Sequence, residues 1–365
     1  MAVDLNDFIT LPFKPAPGLT SGHLMTVAPL LIPRQYPLLD ASTEPVQVEI
    51  DAQNRIVGFL HRPGKTLMSS GKTSLRRNSV VVSVHGLESS AEAHYVRGLS
   101  EKALAAGFSV FRMNLRNCEG SLENSHTLYN AGLSGDVLAV VELLKDKFAF
   151  ERIYLCGFSL GGNIVLKSAG ELGLRRSRLI DGVAAVSPAA DLDSCVRAIE
   201  TGFNKLYETN FLLGLKAKVR AKSKLFPGRY DLKQLGAVKT LREFDNYFTA
   251  PDAGYADSAS YYFGASAVRV TEHIAVPGLI IAAEDDPMVP VDSVRSEAVR
   301  KNPNLKLLTP LWGGHVGFIG RDKLSLQDLR DFGKPKNRSI ENGCLRDRFW
   351  GEWQVLSFLL ACEGV

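Results

Sequence analysis

The 365-residue sequence lacks any run of about 18 consecutive apolar positions, the length that a membrane-spanning helix requires. Its first residues also lack the basic start and apolar core of a signal peptide. The cysteines are odd in number and have no metal-ligand spacing, which is typical of free thiols in a reducing compartment; they are Cys118, Cys156, Cys195, Cys344 and Cys362. We therefore expect a soluble cytoplasmic protein with no bound metal and no stable membrane anchor.

A strong excess of charge of either sign is missing as well. The 43 basic and 39 acidic residues leave a net charge of +4, which is too balanced for a typical nucleic-acid binder. Residues 65–78 are rich in Ser, Lys and Arg without interleaved aromatic residues. We predict a mobile surface loop there and no nucleic-acid partner. Apolar residues make up 45% of the chain, enough for the core of one large domain.

From Val80 onward the chain alternates between apolar strands and helical patterns. Near-continuous β-branched runs separated by helices indicate a mostly parallel central sheet that is covered on both faces. The predicted strands are Val80–Val84, Phe108–Met113, Ile153–Cys156, Val183–Val186, Gly278–Ala282 and Leu305–Leu308. The predicted helices are Tyr95–Ala106, Leu133–Leu144, one that begins at Leu160, and a closing helix over Asp347–Ala361.

The first 60 residues follow a different pattern. The six prolines from Pro12 to Pro37 make long regular elements unfavourable in residues 1–45, so we predict a segment that wraps the domain. Val46–Ile50 alternates between apolar and polar residues, and Ile56–Leu60 follows after a short turn. This spacing predicts a β-hairpin.

The alternation of strands and helices stops before residue 190. Residues 190–265 carry helical patterns, such as Cys195–Tyr207 and Phe211–Leu225, and no convincing strand. Because the insertion leaves the sheet at the edge where such folds bind ligands, we predict a helical lid. A separate helical domain with no part in binding is the alternative. The remaining α/β core is then made of two parts, residues 46–189 and 266–365.

The residues Gly157–Gly161 read Gly-Phe-Ser-Leu-Gly and lie between a predicted strand and a predicted helix. A serine on so sharp a turn is forced into a strained backbone with its hydroxyl exposed. The two glycines avoid clashes with the neighbouring strand and helix. The string alone is common, and Ser159 could simply cap the helix. The strand and helix that flank it favour a nucleophile.

A nucleophilic serine needs a base to take its proton and an acid to orient that base. His315 stands in a glycine-rich loop after the last predicted strand, the only one of seven histidines with this placement. Asp285 and Asp286 both follow the strand Gly278–Ala282 and compete for the role of the acid. Asp286 fits better, because there the strand has just ended and no helix has begun. A divalent metal on this acidic cluster would lack further ligands at suitable spacing.

The loop His85–Glu88 follows the first core strand. Gly86 would let the backbone turn, so that the N–H of Leu87 lies beside the N–H of Leu160 and the two form an oxyanion hole. We expect His85 to be structural and to bond within the loop.

Together these motifs resemble the YheT-like α/β-hydrolases, also called the AB hydrolase 4 family. The resemblance runs from about Phe13 to the C-terminus. The segments that carry it are Leu19–Thr26, His85–Glu88, Asn114–Cys118, Tyr129–Gly132 with Asp136, Gly157–Asn163, Tyr261–Tyr262 with Ser266, Pro277 to Ile281 with Asp285–Asp286, and Gly313–His315.

The resemblance implies an α/β-hydrolase fold and a cofactor-free serine hydrolase acting on a small-molecule carboxylic ester or a lipid acyl ester. The same triad could transfer an acyl group to an alcohol or thiol, and a catalytically silent scaffold is a third possibility. Two positions depart from the family. Asn117 stands where glycine is usual, and asparagine tolerates a left-handed backbone. Ser89 stands where glycine is frequent, which bears on the shape of the predicted oxyanion loop.

Overall fold

The computed structural model describes residue 5 and residues 8–41, 43–64, 78–331 and 345–364. Nearly all of the surface loop predicted over residues 65–78 lies outside them. The strands of the described residues are β1 (Glu44–Asp51), β2 (Asn54–His61), β3 (Ser79–Val84), β4 (Ser109–Met113), β5 (Arg152–Phe158), β6 (Gly182–Val186), β7 (Gly278–Ile281), β8 (Leu305–Leu308), β9 (Ile319–Ser325) and β10 (Arg346–Phe349).

The α-helices of the same residues are α1 (Gly22–Leu31), α2 (Pro37–Asp40), α3 (His94–Ala105), α4 (Ser134–Asp146), α5 (Leu160–Leu174), α6 (Leu192–Ile199), α7 (Lys205–Leu225), α8 (Leu232–Ala237), α9 (Leu241–Phe244), α10 (Ala250–Asp252), α11 (Ser258–Ala265), α12 (Glu297–Lys301), α13 (Leu326–Arg330) and α14 (Trp350–Cys362). None of these helices has both the length and the apolar character that a bilayer crossing requires.

An eight-stranded sheet forms the centre of the molecule, in the order β1-β2-β4-β3-β5-β6-β7-β8. Neighbours from β4 to β8 run parallel, whereas β2 is antiparallel to both β1 and β4. The predicted hairpin and the mostly parallel sheet are therefore confirmed.

Both faces of the sheet are buried, which explains the continuous valine run of β3. Val80 and Val82 point into an apolar cluster that contains residues of α4 and α5. Val81 points to the opposite face, into a second cluster with residues of α3 and α14. Alternate side chains of one strand thus pack against two layers of helices, which favours apolar residues on both faces of the strand.

Two predictions at the ends of the chain were wrong. The N-terminal segment contains a ten-residue helix, α1, although Pro29 lies inside it. Burial of Met25 and Pro29 on one side of the helix compensates for the hydrogen bond that proline cannot make. The closing helix begins at Trp350 rather than Asp347, because Arg346–Phe349 forms β10 and pairs with β9 in a second, two-stranded sheet. We had predicted neither of these strands.

Between β6 and β7 the chain forms helices and no strand. The helix breaks differ from the predicted ones, since α6 ends at Ile199 and α7 runs unbroken from Lys205 to Leu225. Gly202, with a φ of 56°, turns the chain between them. The role of residues 190–265 as a lid stays a prediction.

Candidate active site

Ser159 lies at the sharp turn between β5 and α5, with φ 54° and ψ −119°. This is a backbone conformation that residues other than glycine rarely adopt. The turn is close-packed on both sides. A Cβ on Gly157 would lie 2.2 Å from the carbonyl oxygen of Gly161, and a Cβ on Gly161 would lie 2.3 Å from that of Val84. The sequence motif therefore exists because only glycine fits at these two positions.

We expect Gly161→Ala to destabilise the protein. The added methyl would overlap backbone oxygens that cannot rotate away, so a loss of about 1–3 kcal/mol or more is expected. The matched control is Gly135→Ala in α4, where an added Cβ meets no atom within 4 Å. That substitution should stabilise the helix by roughly 0.5 kcal/mol. Thermal unfolding of both variants checks the pair, and equal melting temperatures would contradict the close packing at the turn.

His315 lies between Ser159 and Asp286. Its Nε2 is 2.8 Å from Oγ of Ser159, and its Nδ1 is 2.9 Å from Oδ2 of Asp286. An ionised carboxylate only accepts hydrogen bonds, so Nδ1 carries the proton and the lone pair of Nε2 faces the serine hydroxyl. The second oxygen of Asp286 accepts the backbone N–H groups of Met288 and Val289, which fixes the carboxylate in place.

Asp285, the rival candidate, points elsewhere. Its Oδ1 accepts the N–H of Gly314 at 2.9 Å. Burial raises the pKa of the Asp285 carboxyl, and hydrogen bonds from the Gly314 and Gly313 N–H groups partly offset this rise. Glu284, the third acid of the cluster, pairs with Arg295. Of the three carboxylates, the structure brings only that of Asp286 to His315.

Two hydroxyl groups that we had not predicted hold the His315 loop. The N–H of His315 donates to Oγ1 of Thr26 at 2.8 Å, and the N–H of Val316 donates to Oγ of Ser187 at 3.1 Å. Val316 has a φ of 62°, so these bonds hold a strained backbone in position. The segment Leu19–Thr26 carried part of the family resemblance, and this was the available signal for Thr26.

The loop after β3 passes directly beside Ser159. A Cβ on Gly86 would come within 3.1 Å of the Ser159 Cβ, and both Leu87 and Leu160 line the same cavity as Ser159. The buried His85 donates through Nδ1 to the carbonyl of Gly86 and accepts the Leu115 N–H at Nε2. Its pKa is lowered to about 4 by burial. His85 is therefore a neutral part of the loop framework, as we predicted.

Ser89 takes part in fixing this loop. Its hydroxyl accepts a hydrogen bond from Oη of Tyr95 at 2.9 Å, and the same Oη accepts the N–H of Gly86 at 3.2 Å. The positive φ in this loop falls on Glu88 (49°) instead. Serine thus replaces the family's frequent glycine without needing a left-handed backbone.

Asn117, the other departure from the family, has a φ of 61°, so it adopts the left-handed conformation that we expected. Its side chain does more than tolerate the turn. Oδ1 accepts a hydrogen bond from the buried Lys222 of α7 at 2.8 Å, and Nδ2 donates to the carbonyl of Thr127. Glycine could make neither bond, so asparagine here ties α7 to the core.

A cavity of about 710 Å³, its open mouth included, begins at Ser159 and His315 and extends under the helices between β6 and β7. Most of its lining is apolar. The lining residues from those helices include Leu192, Val196, Ile199, Phe211, Leu215 and Leu241, and the polar groups include Asn130, Asp245 and Thr249.

Within the described residues, Asp245 is the one carboxyl group in the lining of this cavity. It begins a π-helical turn, Asp245–Thr249, and its Oδ2 accepts a hydrogen bond from Oη of Tyr262 at 2.8 Å. Burial raises its pKa from 3.8 to about 6, and hydrogen bonds from Thr249 and Tyr262 offset part of that rise. The nearby Arg242 also favours the charged form.

We expect Asp245→Asn to stabilise the protein above pH 6. With a raised pKa, the folded state holds its proton while the unfolded state has lost it, so wild-type stability falls as the pH rises from about 4 to about 6. The difference of about two pKa units corresponds to at most roughly 3 kcal/mol. Denaturant unfolding at pH 4 and pH 7.5 should show a higher free energy of unfolding for the variant than for the wild type only at pH 7.5. If the free energies of unfolding of variant and wild type differed by the same amount at both pH values, the raised pKa of Asp245 would be contradicted.

Known proteins resemble this chain in sequence and in fold. The family model described as alpha/beta hydrolase fold matches residues 79–322. YheT of Escherichia coli, named as a candidate esterase, is 31% identical over 87% of this chain and 90% of YheT. The monoacylglycerol lipase of Saccharomyces cerevisiae is 30% identical over 66% of this chain and 55% of that protein. The esterase Pf2001 of Pyrococcus furiosus has a TM-score of 0.51 and 18% identity over 84% of this chain and 91% of that one, which shows the fold alone.

The chain belongs to the α/β-hydrolase family, as the family model covers most of its sheet and the eight-stranded order fits that fold. Within the family it belongs to the YheT-like group, because the match to YheT spans nearly the whole of both chains. The predicted fold class and the predicted family are thereby confirmed.

Proposed function

We propose that the protein is a serine esterase that cleaves a carboxylic ester through an acyl-enzyme on Ser159. The observation that carries the proposal is the hydrogen-bonded chain from Ser159 through His315 to Asp286, which opens onto an apolar cavity. These three hydrogen-bonded side chains have the order and geometry of a nucleophile, a base and an orienting acid.

In the proposed reaction His315 takes the proton of the Ser159 hydroxyl as Oγ attacks the ester carbonyl. The N–H groups of Leu87 and Leu160 donate to the oxyanion that forms, and the N-terminal end of α5 adds a favourable potential. His315 then gives its proton to the leaving alcohol, and the acyl group stays on Oγ. Water, deprotonated by the same imidazole, attacks the acyl carbonyl, and His315 returns the proton to Oγ of Ser159 as the bond to the acid breaks. Asp286 stabilises the imidazolium in both steps.

The substrate of the proposed reaction is a small-molecule ester or a lipid with an apolar acyl chain. The cavity lining supports this, since leucine, isoleucine and valine side chains from α6 and α7 face the space beside Ser159. These contacts also support the prediction that residues 190–265 act as a lid. The yeast relative named monoacylglycerol lipase acts, by its name, on such a lipid. A cytoplasmic location is part of the proposal and rests on the sequence.

A panel of p-nitrophenyl esters from acetate to palmitate tests the proposal. We expect turnover, with the highest kcat/KM for chains that fill the apolar cavity. Product analysis with added ethanol distinguishes hydrolysis from acyl transfer, because the ethyl ester forms only when the alcohol replaces water. No turnover of any ester in the panel would favour the silent scaffold and contradict the esterase.

A further inference from the structure

Helix α1 exposes an apolar face beside the candidate site. Leu30 and Leu31 are 68% and 77% exposed, and Leu24 and Val27 are exposed as well. The spacing of three and four residues places Leu24, Val27 and Leu31 on one face of the helix. No residue of α1 is acidic, Lys or Arg. Exposed leucines scattered singly need no explanation, but a helix whose outward residues are nearly all apolar does.

The turn before α7 and the first turn of that helix continue this apolar surface. Phe203 and Leu206 are exposed, and the ring of His23 in α1 packs on Phe203 with ring centroids 4.9 Å apart. His23 also hydrogen-bonds Oη of Tyr207 at 3.1 Å. We call the joined surface the apolar platform; it consists of Leu24, Val27, Leu30, Leu31, Phe203 and Leu206.

The platform borders the candidate site directly. Thr26 of α1 accepts the N–H of His315, and the Gly314 backbone packs against Gly22 and Thr26. On the other side, Phe211 and Leu215 of α7 line the cavity. A surface that covered the platform would therefore lie next to the elements that hold His315 and line the cavity beside Ser159.

The charge on α7 indicates what kind of surface this is. The helix contains six basic residues and one acid, Glu208, which is buried and accepts the N–H of Leu241. Lys205, Arg220 and Lys224 are exposed, together with Leu213. Apolar side chains next to basic ones, with no exposed carboxylate on the helix, match the interface of an anionic lipid layer. A second copy of the chain fits less well, because a symmetric contact would bring two basic helices together.

We propose that the apolar platform docks on an anionic lipid surface, with the exposed basic residues of α7 (Lys205, Arg220 and Lys224) facing the lipid headgroups. Docking would place the mouth of the cavity at the lipid layer, so an acyl ester could enter without crossing water. This deepens the proposed function, since it makes a membrane lipid the substrate source. The binding step itself does not require Ser159.

Vesicle flotation with the Ser159→Ala protein tests the docking apart from catalysis. We expect binding to vesicles that contain about one third phosphatidylglycerol and much weaker binding to pure phosphatidylcholine, since each basic residue near an anionic surface contributes roughly five-fold in binding. The double substitution Leu30→Glu with Leu31→Glu should reduce binding to the anionic vesicles by roughly ten-fold or more. The matched control is Leu174→Glu at the end of α5, an exposed leucine (53%) outside the platform.

Melting temperatures of both variants within a few degrees of the parent protein are the expected sign that neither is misfolded. Equal vesicle binding by the double variant and the Leu174→Glu control would overturn the proposal, as would no binding to either vesicle type. A dimer in light scattering that the double variant abolishes would also overturn it and assign the platform to a second copy. If wild-type protein binds vesicles and hydrolyses no ester, the proposed function fails and the docking stands. If the protein hydrolyses esters and binds neither vesicle type, the proposed function stands and the docking fails.

Discussion

Hydrolysis of a p-nitrophenyl ester by the Ser159→Ala variant is expected to fall in kcat by a factor on the order of 10⁶. Alanine leaves no atom that can attack the ester carbonyl, and His315 then has no hydroxyl to deprotonate. Loss of the nucleophile in other enzymes with this arrangement has an effect of this size, while the remaining oxyanion donors still support weak catalysis. The methyl group fits the turn, since only a hydroxyl is removed.

The control for this experiment is Ser223→Ala, whose hydroxyl bonds only the backbone carbonyl of Arg220 on the exposed side of α7. It should keep wild-type kcat. Both proteins are compared with the wild type at pH 8 after a circular-dichroism check of the fold. If Ser159→Ala retained more than a small percentage of the turnover, another nucleophile would have to carry the reaction.

Asp286→Asn is expected to lower kcat by roughly 10⁴ while leaving KM within a few-fold. The amide can present its NH₂ to Nδ1 of His315, and the imidazole would then hold its proton on Nε2, facing the serine. In that tautomer it cannot accept the Ser159 proton. The backbone donors of Met288 and Val289 would still hold the amide oxygen, so the fold should be little affected.

Asp285→Asn is the matched comparison, one residue away. Its side chain accepts the Gly314 N–H, whereas His315 bonds Asp286, and the amide oxygen of asparagine can accept the same bond from Gly314. We expect a decrease in kcat of less than about ten-fold, as for a change that only perturbs the loop. Steady-state kinetics of the two variants side by side measure the difference. The reverse order of effects would assign the acid to Asp285 and contradict the geometry.

Local features of the sequence predicted the parts of the fold that depend on neighbouring residues. The valines of β3 predict a strand buried on both faces because they occupy four of its six positions and point to both sides of the sheet. The glycines flanking Ser159 predict the turn because each packs against backbone oxygen. The order of serine, acid and histidine along the chain placed the three candidate residues at strand ends, and these ends meet in a parallel sheet.

Contacts between distant segments could not be predicted in this way. Thr26 is 289 residues from His315, and Lys222 is 105 residues from Asn117. Nothing in the sequence near either partner specifies the other. Helix α1 was missed for a related reason, since the packing of Met25 in the core outweighs the unfavourable Pro29. The pairing of β9 with β10 likewise joins two short segments whose apolar pattern is weak.

Labelling with a fluorophosphonate probe tests the central claim most directly, because the probe forms a covalent bond only with an activated serine. After incubation and digestion, mass spectrometry of the wild-type protein should find the adduct on the peptide that contains Ser159, and the His315→Gln variant should label far more slowly. Absence of labelling, or equal labelling of the Ser159→Ala variant, would contradict the proposed acyl-enzyme.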